Sequence, residues 1–141
     1  MNNIFQKCEV GWVYFKHSCF KTSLSPLPKM LPWDQALDAC QGEGGLLAVI
    51  TNAKQEAFIV NLKNSVASGI GPYFLQLFYW IGLVTDGQHN TSSWVNGAAL
   101  SYSNIKMVDG QSGLCYGIKG GAWVAAPCNS SFPYICEKGF N

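Results

Sequence analysis

Charge is scarce in this chain: charged residues make up 12% of 141, about half the share of a typical soluble domain. The nine basic residues, all lysine, are scattered and the formal net charge is +1. No basic stripe exists to follow a phosphate backbone, so no nucleic-acid partner is expected. No apolar run approaches the roughly 20 residues that cross a bilayer, and direct membrane insertion of this segment is not expected. Met1–Lys7 lacks the apolar centre of a secretory signal, and the expectation is a domain trimmed from a longer chain. Close cysteine pairs of the C-x2-C kind are absent, which argues against zinc. Acids are thinnest in the second half, where Asp109 is the only carboxylate between Gly87 and Cys136.

Catalytic patterns are missing too. Gly110-Gln111-Ser112-Gly113 lacks the spacing of a nucleophile elbow. Gly69-Ile70-Gly71 runs into Pro72-Tyr73-Phe74 instead of a phosphate-binding loop. His17 and His89 are far apart in expected turns and read as surface residues. No enzyme and no cofactor are expected.

What is present is cysteine and aromatic mass. Cys8, Cys19, Cys40, Cys115, Cys128 and Cys136 form an even set in a small chain, the mark of a disulfide framework in an oxidising compartment. Spacing alone leaves fifteen connectivities open. Two sequons, at Asn90 and Asn129, are candidate glycosylation sites and fit an extracellular location. Hydrophobic residues at 48% and aromatics at 13% are enough for one real core in a domain this long.

The pattern along the chain is α+β. A β-rich run around residues 10–18 reverses at Lys16 and His17, and residues 22–32 carry three of the six prolines. Trp33, Ala36, Leu37 and Cys40 recur at helical spacing behind Pro32 and ahead of Gly42. Residues 46–50 read as a buried strand. A second helix begins at Thr51 or Asn52, with Phe58, Ile59, Leu62 and Val66 as its apolar stripe and Gly69 and Gly71 at its end. Short strands are expected near 78–84, 93–95, 114–119, 122–125 and 134–137. Helices early and strands late predict an α+β domain.

Several strings stand in a recognisable order. Gly11-Trp12 and Cys19-Phe20 come first, then Trp33, Ala36 and Cys40, then Gly44-Gly45-Leu46-Leu47-Ala48-Val49-Ile50. Tyr79-Trp80-Ile81-Gly82-Leu83, Trp94-Val95-Asn96-Gly97, Ser101-Tyr102-Ser103-Asn104 and Ile135-Cys136-Glu137 follow. Together they resemble the C-type-lectin-like domain in its long form, over about residues 8–138, with short tails at 1–7 and 139–141. The resemblance implies two helices flanking small antiparallel sheets, a long loop region, and the pairs Cys8–Cys19, Cys40–Cys136 and Cys115–Cys128.

Members of that family that bind sugars hold one calcium ion with a Glu-Pro-Asn or Gln-Pro-Asp tripeptide, a glutamate before the fifth cysteine, and an Asn-Asp pair. Here residues 105–114 contain no proline, Leu114 precedes the fifth cysteine, and Trp123-Val124-Ala125 replaces the Asn-Asp step. Calcium takes six to eight oxygen ligands, and these residues lack the carboxylates for it. No metal is expected.

The resulting expectation is a calcium-independent extracellular module that binds a protein or glycan through the long-loop face. Trp94, Asn96, Tyr102, Asn104, Asp109 and Gln111 are the candidate ligand residues. Trp33, Trp80 and Trp123 are assigned to the core, whereas exposure of Trp94 or Tyr102 would favour a glycan-stacking lectin. A structural module of a multi-domain receptor is the other alternative. A homodimer, with the loop around 72–78 as one route to it, is among the partner states the sequence admits.

Overall fold

The computed structural model describes residues 8–106 and 113–139. Strands β1 (Val13–Phe15) and β2 (Ser18–Thr22) are joined at Lys16 and His17, both at positive φ (43° and 72°). Two consecutive left-handed residues make the tight turn whose twist matches a hairpin, here without glycine. Cys8–Cys19 staples the hairpin. Helix α1 (Trp33–Gly42) starts after Pro32 and buries Trp33, Ala36 and Cys40. Strand β3 is only Leu46–Leu47, shorter than the expected 46–50. Residues 48–50 stay buried beyond it: Ala48 N still donates to Ile135 O, but the Ala48 carbonyl turns to accept from Gly82 N.

Helix α2 (Ala53–Ile70) is capped by Asn52, whose side chain accepts from Gln55 N at 2.9 Å. Gly71 ends it, and Gly69 lies inside it. A 3-10 turn (Pro72–Gln76) covers part of what reads as loop in the sequence. The remaining strands are β4 (Tyr79–Asp86), β5 (Thr91–Trp94), β6 (Cys115–Lys119), β7 (Ala122–Ala126) and β8 (Ile135–Gly139). They form two antiparallel four-stranded sheets, ordered β1-β2-β8-β3 and β5-β4-β6-β7. The α+β expectation holds, and the three disulfides pair as the resemblance implies. Cys40–Cys136 closes a separation of 96 residues, worth about 4–5 kcal/mol in the chain-entropy model.

The two sheets meet at Gly82. Its N–H donates to Ala48 O at 2.8 Å and its carbonyl accepts from Val95 N at 2.9 Å. A Cβ there would stand 2.7 Å from Leu47 O, so only glycine lets the backbones approach. The tryptophans around it lock the joint. Trp33 Nε1 donates to Ile81 O, and Trp80 Nε1 to Leu31 O, each at 2.9 Å. Trp80 and Trp123 are fully buried and Trp33 nearly so.

The inner face of α2 differs from the expected stripe. Gln55, Glu56, Ile59, Lys63 and Ala67 are its buried residues, with Phe58, Leu62 and Val66 half-buried beside them. The polar members are tolerated because each is paired, as buried polar groups must be. Lys63 Nζ donates to Asn64 Oδ1 at 3.0 Å and sits 5.1 Å from the Tyr79 ring centroid. Burial holds the Lys63 ammonium below its ordinary range and pushes the Tyr79 phenol up to about 12.

Two outcomes follow from these contacts. Gly82→Ala is expected to destabilise the domain by about 2–4 kcal/mol, with Gly42→Ala, where the added methyl meets nothing, as the mild control; urea melts of the two variants check it. Lys63→Met should stabilise. The folded-state pKa of Lys63 lies below its unfolded value, so wild-type stability rises with pH between the two. The advantage of Lys63→Met should therefore shrink as pH rises towards 10.5, as measured by melts across that window.

Candidate functional site

The long loop leaves β5 at Trp94 and returns to the sheet by pairing Ile105 with Trp123. Its first turn is closed by Gly97 N to Trp94 O at 2.9 Å, with Gly97 at φ 88°. Lys106 N donates to Trp123 O and Trp123 N to Asn104 O, each at 2.9 Å, which stitches the far end to β7.

Beneath the loop lies Glu56, 7% exposed. Its Oε1 accepts from Tyr102 Oη at 2.5 Å, and its Oε2 from Asn104 Nδ2 at 2.8 Å and Trp123 Nε1 at 3.0 Å. Asn104 Nδ2 also donates to Gly121 O at 2.8 Å. Charge-assisted bonds of this kind are about twice as strong as neutral ones. One carboxylate on α2 thus gathers three side chains from the loop and β7.

This hub redraws the expected ligand set. Trp94 is 3% exposed and packs edge-on to Trp123 at 5.3 Å, so its ring is a core element and not a contact surface. Tyr102 is half-buried, with its hydroxyl given to Glu56 and its ring edge-on to Trp123 at 5.8 Å. Asn104 is likewise half-buried and committed. Asn96 is exposed, its Oδ1 accepting from Ala98 N at 3.0 Å. Asp109 and Gln111 lie outside the described residues. Outward on the loop stand Gly97, Ala99, Ser101 and Ser103, all exposed. Glu56 itself was absent from the sequence-based set, because an acid in an exposed-looking helical position gives no sign of what it will face.

The described part of the donor set does not fit a calcium ion. Leu114 is 45% exposed, Val124 is buried and Ala125 half-buried, so the described positions where the family's ligands would stand offer carbon. Among the described residues no group of three or more His, Cys, Asp or Glu could hold a metal. Asn90 and Asn129 are both exposed, Asn90 at the tip of the β4–β5 hairpin with φ 54°. Beside it Asp86 meets His89 Nδ1 at 2.6 Å, a contact that holds the Asp86 carboxyl below its usual range.

Fold and sequence place the chain in a family. The model of the C-type lectin domain matches residues 29–138, and the chain belongs to that family. It is 28% identical to the secretory phospholipase A2 receptor of Bos taurus over 93% of the chain, which spans 10% of that receptor's length. It is 29% identical to C-type lectin domain family 4 member K of Homo sapiens, over 97% of the chain and 40% of the relative. Among solved structures, ovocleidin-17 of the Gallus gallus eggshell calcified layer superposes with a TM-score of 0.79, at 22% identity over 94% of this chain and 99% of that one. The calcium-independent type II antifreeze protein gives 0.75, at 21% identity over 95% of each chain. These structural likenesses are of fold.

Glu56→Ala is expected to cost about 2–4 kcal/mol, since it strands three donors. Hydrogen exchange at the Lys106 and Trp123 amides should speed up well before the β2–β8 ladder is affected. Glu56→Gln should sit between, because its amide keeps an acceptor but turns a donor towards other donors.

Proposed function

We propose that this C-type lectin-like domain is an extracellular recognition module that binds a protein ligand through its long-loop face without calcium. The single observation that carries the reading is the pairing of an apolar Leu114–Val124–Ala125 set with a loop fastened from below by Glu56. A loop held by an internal carboxylate is preorganised without a metal, which lowers the cost of binding. The exposed residues Asn96, Ser101 and Ser103, with small neighbours, suit adaptable polar contacts with a protein surface.

The burial of Trp94 and the engagement of Tyr102 remove the aromatic platform that a calcium-free glycan lectin would use, which favours a protein over a glycan. The chain spans about a tenth of the phospholipase A2 receptors it matches, and by that likeness it works as one module of a larger receptor-type protein. Glycans at Asn90 and Asn129 would border the loop face and restrict access to it.

Ligand that binds only the native state raises the melting temperature by mass action. The disulfide-intact domain should melt at the same temperature in millimolar calcium and in chelator, and a glycan array should give no signal that depends on the ion. A calcium-induced rise in melting temperature would overturn the calcium-free reading. Strong chelator-resistant glycan binding would replace the protein ligand with a sugar.

A further inference from the structure

Beside the start of the long loop, two adjoining cavities of about 250 and 220 Å³ share Val49, Asn96 and Glu137 as lining. The first continues along Gly44, Gly45 and β3, and the second reaches Lys16, Ser18 and the start of α2. They form one trench with Glu137 in its middle. The carboxylate is held by two internal donors, Val49 N to Oε1 and Ser18 Oγ to Oε2, each at 2.9 Å. It has no cationic partner among the described residues: Lys138, its neighbour, is given to Glu9 at 2.6 Å and to Glu43 O at 3.1 Å. Burial raises the Glu137 pKa above the usual carboxylate range, as expected of an acid short of a countercharge.

The rim carries the complement. Lys16 lines the trench and has no anionic partner among the described residues; its ammonium lies 5.6 Å from the Phe15 ring centroid. Asn96 is exposed, with Oδ1 taken by Ala98 N and its amide NH2 without an acceptor among the described residues. Glu137 and Lys16 thus line the same trench with no ion pair to either among the described residues. A neutral polyol would leave both charges unmatched. A metal ion would find one carboxylate where it needs several oxygens. An anion would meet Glu137, and a simple cation would meet Lys16.

We propose that the trench floored by Glu137 binds a small zwitterion, its ammonium against the Glu137 carboxylate and its acid group against Lys16 and the Asn96 amide. The class is that of amino acids, with the spacing between charges setting which member fits. The site meets the long loop at Asn96 and uses none of the Glu56 contacts, so a small-molecule titration reads it separately from protein binding.

The test is an NMR titration of the nitrogen-15-labelled, disulfide-intact domain with glycine and with 4-aminobutanoate. Ethylamine, acetate and calcium chloride at matched ionic strength serve as comparisons. The expected result is a saturable shift of the Val49 and Ser18 amides and of the Asn96 side-chain amide with at least one zwitterion. Lys16→Gln and Glu137→Gln should each weaken that binding about tenfold, the scale of one lost charge contact. Lys16 is exposed on a turn, so its variant keeps the test valid even if Glu137→Gln does not fold. Absence of saturable shifts with either zwitterion would overturn the proposal. So would equal binding of ethylamine and the zwitterions, indifference to Lys16→Gln, or a response to calcium alone.

Discussion

The close passage of β4 over the end of β3 at Gly82 is the constraint on which the rest of the structure depends. Two small four-stranded sheets become one body because main chain touches main chain there. The indoles of Trp33 and Trp80 then use carbonyls around that joint as their buried acceptors. Cys40–Cys136 ties α1 to β8 on the same side, so the joint cannot slide. The loop face inherits its position from this arrangement, because β5 leaves the joint through Val95, bonded to Gly82 itself.

Polar burial is the second theme. Glu56 and Lys63 lie on the inward side of α2 and neither meets the other as an ion pair. Glu56 is satisfied by three donors, and Lys63 by one amide oxygen and an aromatic face. Such groups add less to stability than apolar replacements would, but they dictate which partner each neighbour must find. In this domain Glu56 dictates the posture of Tyr102 and Asn104, two residues that would otherwise be free to vary.

Much of the fold was legible because its determinants are local or periodic. The helical spacing of Trp33, Ala36 and Cys40, the Asn52 cap and the order of the strands all follow from short-range chemistry. The Tyr79–Leu83 string was recognisable, and its glycine turns out to mark a place where a methyl group has no room. The candidate site was harder to read. Trp94, at the end of an expected strand beside the long loop, is sheltered by Trp123, a residue 29 positions away that no local pattern brings near. Glu56 and Lys63 on a helix look like surface charges, and only the approach of β4 and β7 reveals them as interior. The trench around Glu137 joins residues 16, 49, 96 and 137, a set assembled wholly by tertiary folding.

The contact between Glu9 and Lys138 has a mechanical meaning. It places the first and last described segments of the domain side by side, with β2 and β8 zipped together behind them. Tension applied through the flanking chain would load this one pole and be carried by the β2–β8 ladder and the Cys40–Cys136 bridge. A domain whose two ends meet in this way takes a pull across one pair of strands, not along its whole length.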